Sequence, residues 1–133
     1  MRSALLLAVV VLALLAAACG GASAAGHTPI AFGITGGNLA PYRVTIQPNG
    51  SVRIRGAGLT SRRHITPARV RNLQREIQQA HLASRRCAGV LPDVASQYIR
   101  LGGRRVTVHG TCDQRFQSVW NDLLRGVALL RTG

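Results

Sequence analysis

Tyr42-Arg43-Val44-Thr45-Ile46-Gln47-Pro48-Asn49-Gly50-Ser51-Val52-Arg53-Ile54-Arg55 reads as two strands and the turn between them. Tyr42, Val44 and Ile46 alternate with Arg43 and Thr45, and Val52 and Ile54 alternate with Arg53 and Arg55. A period of two puts every second side chain on one side of a sheet, so each half predicts a half-buried strand. Asn49-Gly50 readily takes the positive φ values that a tight hairpin requires. Upstream, within Pro29 to Ile34, the residues Ile30, Phe32 and Ile34 alternate in the same way until Gly36-Gly37-Asn38 breaks the run. The three segments predict an antiparallel meander with one apolar face and one face carrying Arg43, Arg53 and Arg55. Residues 56–65, rich in Gly, Ser and Arg, read as a connection.

Downstream the period changes. Thr66-Pro67 is a helix start, an N-cap residue followed by proline at the first helical position. Val70, Leu73, Ile77 and Ala80 keep helical spacing and Leu82 closes the helix, with Arg69, Arg71, Arg75 and Glu76 on the opposite side. Ser84 to Pro92 reads as a loop containing Cys87. Tyr98 to Leu101 predicts a fourth strand, Gly102-Gly103 a turn, and Val106 with Val108 a fifth strand. The last helix is expected to begin with Asp113 as N-cap and to bury Phe116, Val119, Trp120, Leu123, Val127 and Leu130. Gly126 inside it costs about 1 kcal/mol relative to Ala. The expected class is therefore α+β, in the order βββαββα, with about five antiparallel strands and two helices on one face.

The N-terminus predicts an address. Arg2 precedes an apolar run from Ala4 to Ala18, and Cys19 follows Ala16-Ala17-Ala18. A short positive head, a short apolar core and small residues before a cleavage point compose a secretory signal, and the cysteine makes it a bacterial lipoprotein signal. The run is also shorter than the roughly 20 residues of a comfortable bilayer span. Residues 1–18 are thus expected to be the signal peptide, 19–28 a tether lipidated at Cys19, and 29–133 a single domain. The expected location is the extracytoplasmic face of the cell membrane. Cleavage after Ala22-Ser23-Ala24, giving a soluble secreted form, stays open, as does an uncleaved anchor without a stop-transfer cluster. In an oxidising compartment Cys87 and Cys112 remain as an even pair and predict a disulfide. Closing a segment of about 26 residues contributes roughly 3–4 kcal/mol on the chain-entropy model.

The chain carries a net charge of +13, from seventeen arginines and no lysine against Glu76, Asp93, Asp113 and Asp122. Such a balance fits nucleic acid in the cytosol, but export removes that partner, and no basic stretch is interleaved with stacking aromatics. An anionic surface at the membrane is the more accessible partner for a tethered basic domain. The alternative is that most arginines are simply solvated faces. Catalytic groups are scarce. The nearest carboxylates in sequence, Asp113 and Asp122, are too far apart to share a helical face, and Asp122 is expected on the solvent side. His27, His64, His81 and His109 follow no metal-ligand spacing, and no Gly-x-Ser-x-Gly elbow is present. The reading is a binding protein, not an enzyme, with no cofactor and no metal.

The order of features resembles one family. Thr35-Gly36-Gly37 after an apolar strand is followed by Pro48-Asn49-Gly50-Ser51-Val52 and a helix from Pro67 to Leu82. Then come Pro92-Asp93, Gln97-Tyr98-Ile99-Arg100-Leu101, Gly103-Arg104-Arg105-Val106-Thr107-Val108 and a Leu-rich final helix. This succession, over residues 30–130, resembles the emfourin family, named for an inhibitor of the thermolysin-type zinc metallopeptidase protealysin. The resemblance implies an inhibitor or peptidase-binding module without a cofactor, its partner an exported zinc metallopeptidase. The chain departs from the family in its cysteine pair, its signal, and Cys112-Asp113-Gln114-Arg115 where a Pro-containing helix start is expected. Asp93, presented from a Pro-restricted loop, is a candidate partner contact, although an Asp after Pro also caps its own loop. Gly36, Gly37 and Asn38 form a second candidate contact surface.

Overall fold

The computed structural model describes residues 27–129. The expected signal at 1–18, the expected lipidation site Cys19, most of the expected tether and Leu130 lie outside the described residues. The elements run β1 (Ile30–Thr35), β2 (Tyr42–Ile46), β3 (Ser51–Gly56), β4 (Leu59–His64), α1 (Pro67–Gln79), β5 (Arg85–Arg86), β6 (Ser96–Leu101), β7 (Arg104–His109) and α2 (Gln114–Gly126). The class is α+β, as expected, but the sheet has seven strands, in the order β4-β3-β2-β1-β6-β7-β5. Every pairing is antiparallel except that of β5 with β7.

Two strands correct the sequence reading. The stretch 56–65 is not a connection: Ala57 and Gly58, both at positive φ, form a two-residue turn that returns β4 along β3. Leu59-Thr60-Ser61-Arg62-Arg63-His64 has no apolar alternation because β4 is a sheet edge, where charged side chains guard the open backbone. Within the expected loop 84–92, Arg85-Arg86 pairs with Val108 and His109, and the Cys87 amide donates to the His109 carbonyl. The Cys87–Cys112 disulfide, with Cα atoms 5.7 Å apart, joins this edge to the start of α2.

Alternation decides the core. Ile30, Phe32, Val44, Ile46, Val52, Ile54, Ile99, Val106 and Val108 are buried on one side of the sheet, beneath both helices. Thr66 caps α1 by accepting from the Arg69 amide, and Pro67 occupies its first turn. The helix ends at Gln79, one turn earlier than expected. His81 turns the chain at φ 47°, and Leu82 is buried beyond the helix. Asp113 caps α2 through Phe116. Phe116, Val119, Trp120 and Leu123 form its buried stripe, with Trp120 edge-on to Phe32 at 5.5 Å. Gly126 is its last residue, where a Cβ would meet Leu73 of α1 at 3.3 Å. Val127 is still buried, but it lies past the helix end. From the helix side of β4, Arg63 donates to the carbonyls of Val127 and Ala128, closing the C-terminus of α2.

Candidate functional site

The strand register assembles a face that no single segment announces. On the side away from the helices, one row crosses the sheet as Arg62, Arg53, Thr45, Ala31, Arg100 and Arg105. The next row reads Thr60, Arg55, Arg43, Gly33, Tyr98 and Thr107. The expected trio Arg43, Arg53 and Arg55 is therefore brought together and joined by Arg62, Arg100 and Arg105. Arg43 lies directly opposite Arg55, Arg53 opposite Arg62, and Arg100 opposite Arg105. Like charges directly opposite on neighbouring strands are destabilising. Arg62 escapes the sequence reading with its strand. Arg100 and Arg105 escape it because only the sheet order puts β6 beside β1.

Tyr98 organises the centre of this face. It is only 4% exposed, although it points away from the core. The Arg105 guanidinium lies 4.0 Å over its ring, and Arg43 Nε donates to its hydroxyl at 3.2 Å. Gly33 stands between Arg43 and Tyr98 in the register, and a Cβ there would come within 2.0 Å of the Tyr42 carbonyl. The small floor of β1 thus lets Arg43 reach across it to Tyr98. Burial, and then the neighbouring Tyr98, pushes the Tyr42 phenol above its usual range.

Three shallow depressions surround Arg43. One of about 200 Å³ is walled by Arg43, Arg53 and Arg55 with Thr45, Gln47 and Ser51. A second, of about 390 Å³, has Arg43, Arg55 and Arg105. The third, of about 280 Å³, has Arg43, Arg100 and Arg105. None of the three is lined by a carboxylate.

The other predicted residues also converge, at one end of the sheet. Gly36, Gly37 and Asn38 lie in the β1–β2 loop, and Asp93 in the β5–β6 loop. The Asn38 amide donates to the Asp93 carbonyl at 2.8 Å. A Cβ on Gly37 would lie 2.4 Å from the Ala95 nitrogen, so the two loops touch through backbone. His109 anchors the second loop, its Nε2 3.0 Å from the Leu91 carbonyl and its Nδ1 3.0 Å from Ser96 Oγ. Leu39, Leu91 and Val94 are exposed along this rim.

One carboxylate pair contradicts the sequence reading. Asp122 is only partly turned to solvent on α2: it shares a hydrogen bond with Glu76 of α1 and is ion-paired with Arg125. Burial and the bond to Asp122 raise Glu76 to about 7, while Asp122 is held below its usual range by Glu76 and Arg125. Periodicity along α2 carries no signal of a partner on α1. Among the described residues no three His, Cys, Asp or Glu side chains converge as a metal site.

No protein-family model, curated protein or solved structure matches this chain.

Proposed function

We propose that this chain is an exported binding domain that lays its arginine-covered sheet face on an anionic component of the cell envelope. The observation that carries the reading is the set of three directly opposed arginine pairs on a face whose depressions hold no carboxylate. Each pair opposes folding by about 0.2–1 kcal/mol, and a bound polyanion relieves that repulsion. The leader-like run at 4–18 and the Cys87–Cys112 disulfide support a site of action outside the cytoplasm. Acylation at Cys19 would hold the domain close to the surface it binds. The test is co-sedimentation with anionic and with zwitterionic vesicles, and retention on immobilised wall polymer, at increasing salt. Binding is expected to require the anionic component and to weaken as salt rises. Replacing Arg53 and Arg55 by Gln should release the protein, whereas the same change at Arg71 and Arg75 of α1 should not. Equal losses from both pairs would sink the reading.

A second reading follows from the convergence of Asp93 with Gly36, Gly37 and Asn38 beside exposed Leu39, Leu91 and Val94. Paired rigid loops with apolar tips and one carboxylate suit insertion into a partner's cleft. Together with the emfourin resemblance, this supports binding to an exported zinc metallopeptidase. Residues 20–133 should then slow thermolysin cleavage of a peptide substrate. The Asp93→Ala variant should do so less well.

A further inference from the structure

We propose that the arginine face reads a linear chain of at least three phosphate groups, with Arg43 as the post shared by three adjacent oxyanion subsites. The inference rests on the anion-binding reading above and deepens it. Each depression is lined by three arginines from at least two strands: Arg43, Arg53 and Arg55 in the first, Arg43, Arg55 and Arg105 in the second, Arg43, Arg100 and Arg105 in the third. A planar carboxylate is satisfied by one guanidinium fork, whereas a tetrahedral phosphate offers oxygens in several directions at once. Donors arriving from several strands therefore fit phosphate better than carboxylate. In the first subsite Thr45, Gln47 and Ser51 add neutral polar groups to the wall.

Spacing selects a chain over single headgroups. Neighbouring strands lie about 4.8 Å apart, and alternate residues along a strand about 6.6–7 Å apart. Arg53 on β3 and Arg100 on β6 stand three strand spacings apart, about 14 Å at the backbone, so the subsites that share Arg43 spread over a distance that one phosphate cannot bridge and a chain of phosphates can. Arg43 lines all three, while Arg53 and Arg100 each line one. Tyr98 fixes the post: its hydroxyl accepts from Arg43 Nε, which orients the guanidinium before any ligand arrives.

The test is titration calorimetry on residues 20–133 with orthophosphate, tripolyphosphate and a glutamate peptide matched in charge to tripolyphosphate. Tripolyphosphate is expected to bind at least roughly tenfold tighter than either, because its phosphates occupy linked subsites. Arg43→Gln should cost roughly tenfold or more. Arg53→Gln and Arg100→Gln should each cost less than Arg43→Gln, and Arg71→Gln, on the helix side, less than about twofold. Far-ultraviolet circular dichroism checks that each variant is folded. Long-chain polyphosphate and poly(glycerol phosphate), run as separate arms, identify the source of the chain. Equal binding of the glutamate peptide, or equal losses at Arg43, Arg53 and Arg100, would overturn the phosphate-chain proposal and leave the wider anion reading standing. Preference for vesicles of single-phosphate lipids over tripolyphosphate would overturn it in favour of a membrane surface. Losses at Arg71 as large as those at Arg43 would overturn both.

Discussion

Gly33 separates Arg43 from Tyr98 on the open face, and the backbone of β2 approaches it so closely that the Tyr42 carbonyl would lie 2.0 Å from a Cβ. A side chain here would have to push β2 away from β1 at the middle of the sheet, and overpacking of that kind costs about 1–3 kcal/mol. Gly33→Ala is therefore expected to lower stability by that amount in chemical denaturation, and to weaken anion binding as well, since Arg43 is carried on the displaced strand. An unchanged denaturation midpoint would refute the assignment. Gly33 is apparent in the sequence only as an interruption among apolar residues. The reason it must be glycine appears once β2 is known to lie beside it. Asp113 is the opposite case: an Asp before a helical apolar stripe is a local signal, and the structure has it capping α2 through Phe116.

Among the elements, the two helices meet through ionisable groups as well as apolar ones. Glu76 of α1 shares a hydrogen bond with Asp122 of α2, with Arg69 and Arg125 nearby. Glu76 titrates at about 7 in the fold against 4.5 when unperturbed, because burial and then Asp122 favour its protonated form. A raised carboxyl pKa contributes stability in full below the unfolded value, and that contribution is lost as pH rises through the folded one. The opposing shift of Asp122 acts only below its own unfolded value of 3.8, so it does not offset the effect. Stability is thus expected to decline between about pH 4.5 and 7. Glu76→Gln should flatten that slope, as measured by thermal midpoints across the range; a slope unaltered by the substitution would place its origin elsewhere. Strands and helices with strong periodicity, such as β2, β3 and α2, were legible from the residues alone. β4 and β5 were not, because an edge strand of arginine and threonine needs no alternation, and two residues cannot display one. The same gap hid Arg62, and the pairing of Glu76 with Asp122 lies between elements, where a linear pattern carries no signal.

At the scale of the whole molecule, arginines lie on both sides of the sheet, but the directly opposed pairs lie on one. The helices and the core occupy one side of the sheet, the opposed arginine pairs occupy the other, and the disulfide secures the β5 edge to α2. Removing that cross-link by replacing Cys87 and Cys112 with Ser should cost about 2–5 kcal/mol, measurable as a lower denaturation midpoint. The arginine face should behave in the contrary sense. Arg53 and Arg55 each face another arginine across a strand pair, and neither has a structural hydrogen bond to forfeit comparable to that of Arg63 at α2 or Arg43 at Tyr98. Replacing both by Gln is expected to stabilise the free domain by about 0.2–1 kcal/mol per relieved pair while weakening its hold on anions. Screening provides the control. Raising salt shortens the reach of the repulsion, so the parent protein should gain stability and the difference between parent and variant should shrink. A variant less stable than its parent at every salt concentration would mean that these arginines support the fold. A gain that vanishes with salt would trace the cost of this face to repulsion between its opposed arginines, the same repulsion that a bound anion would relieve.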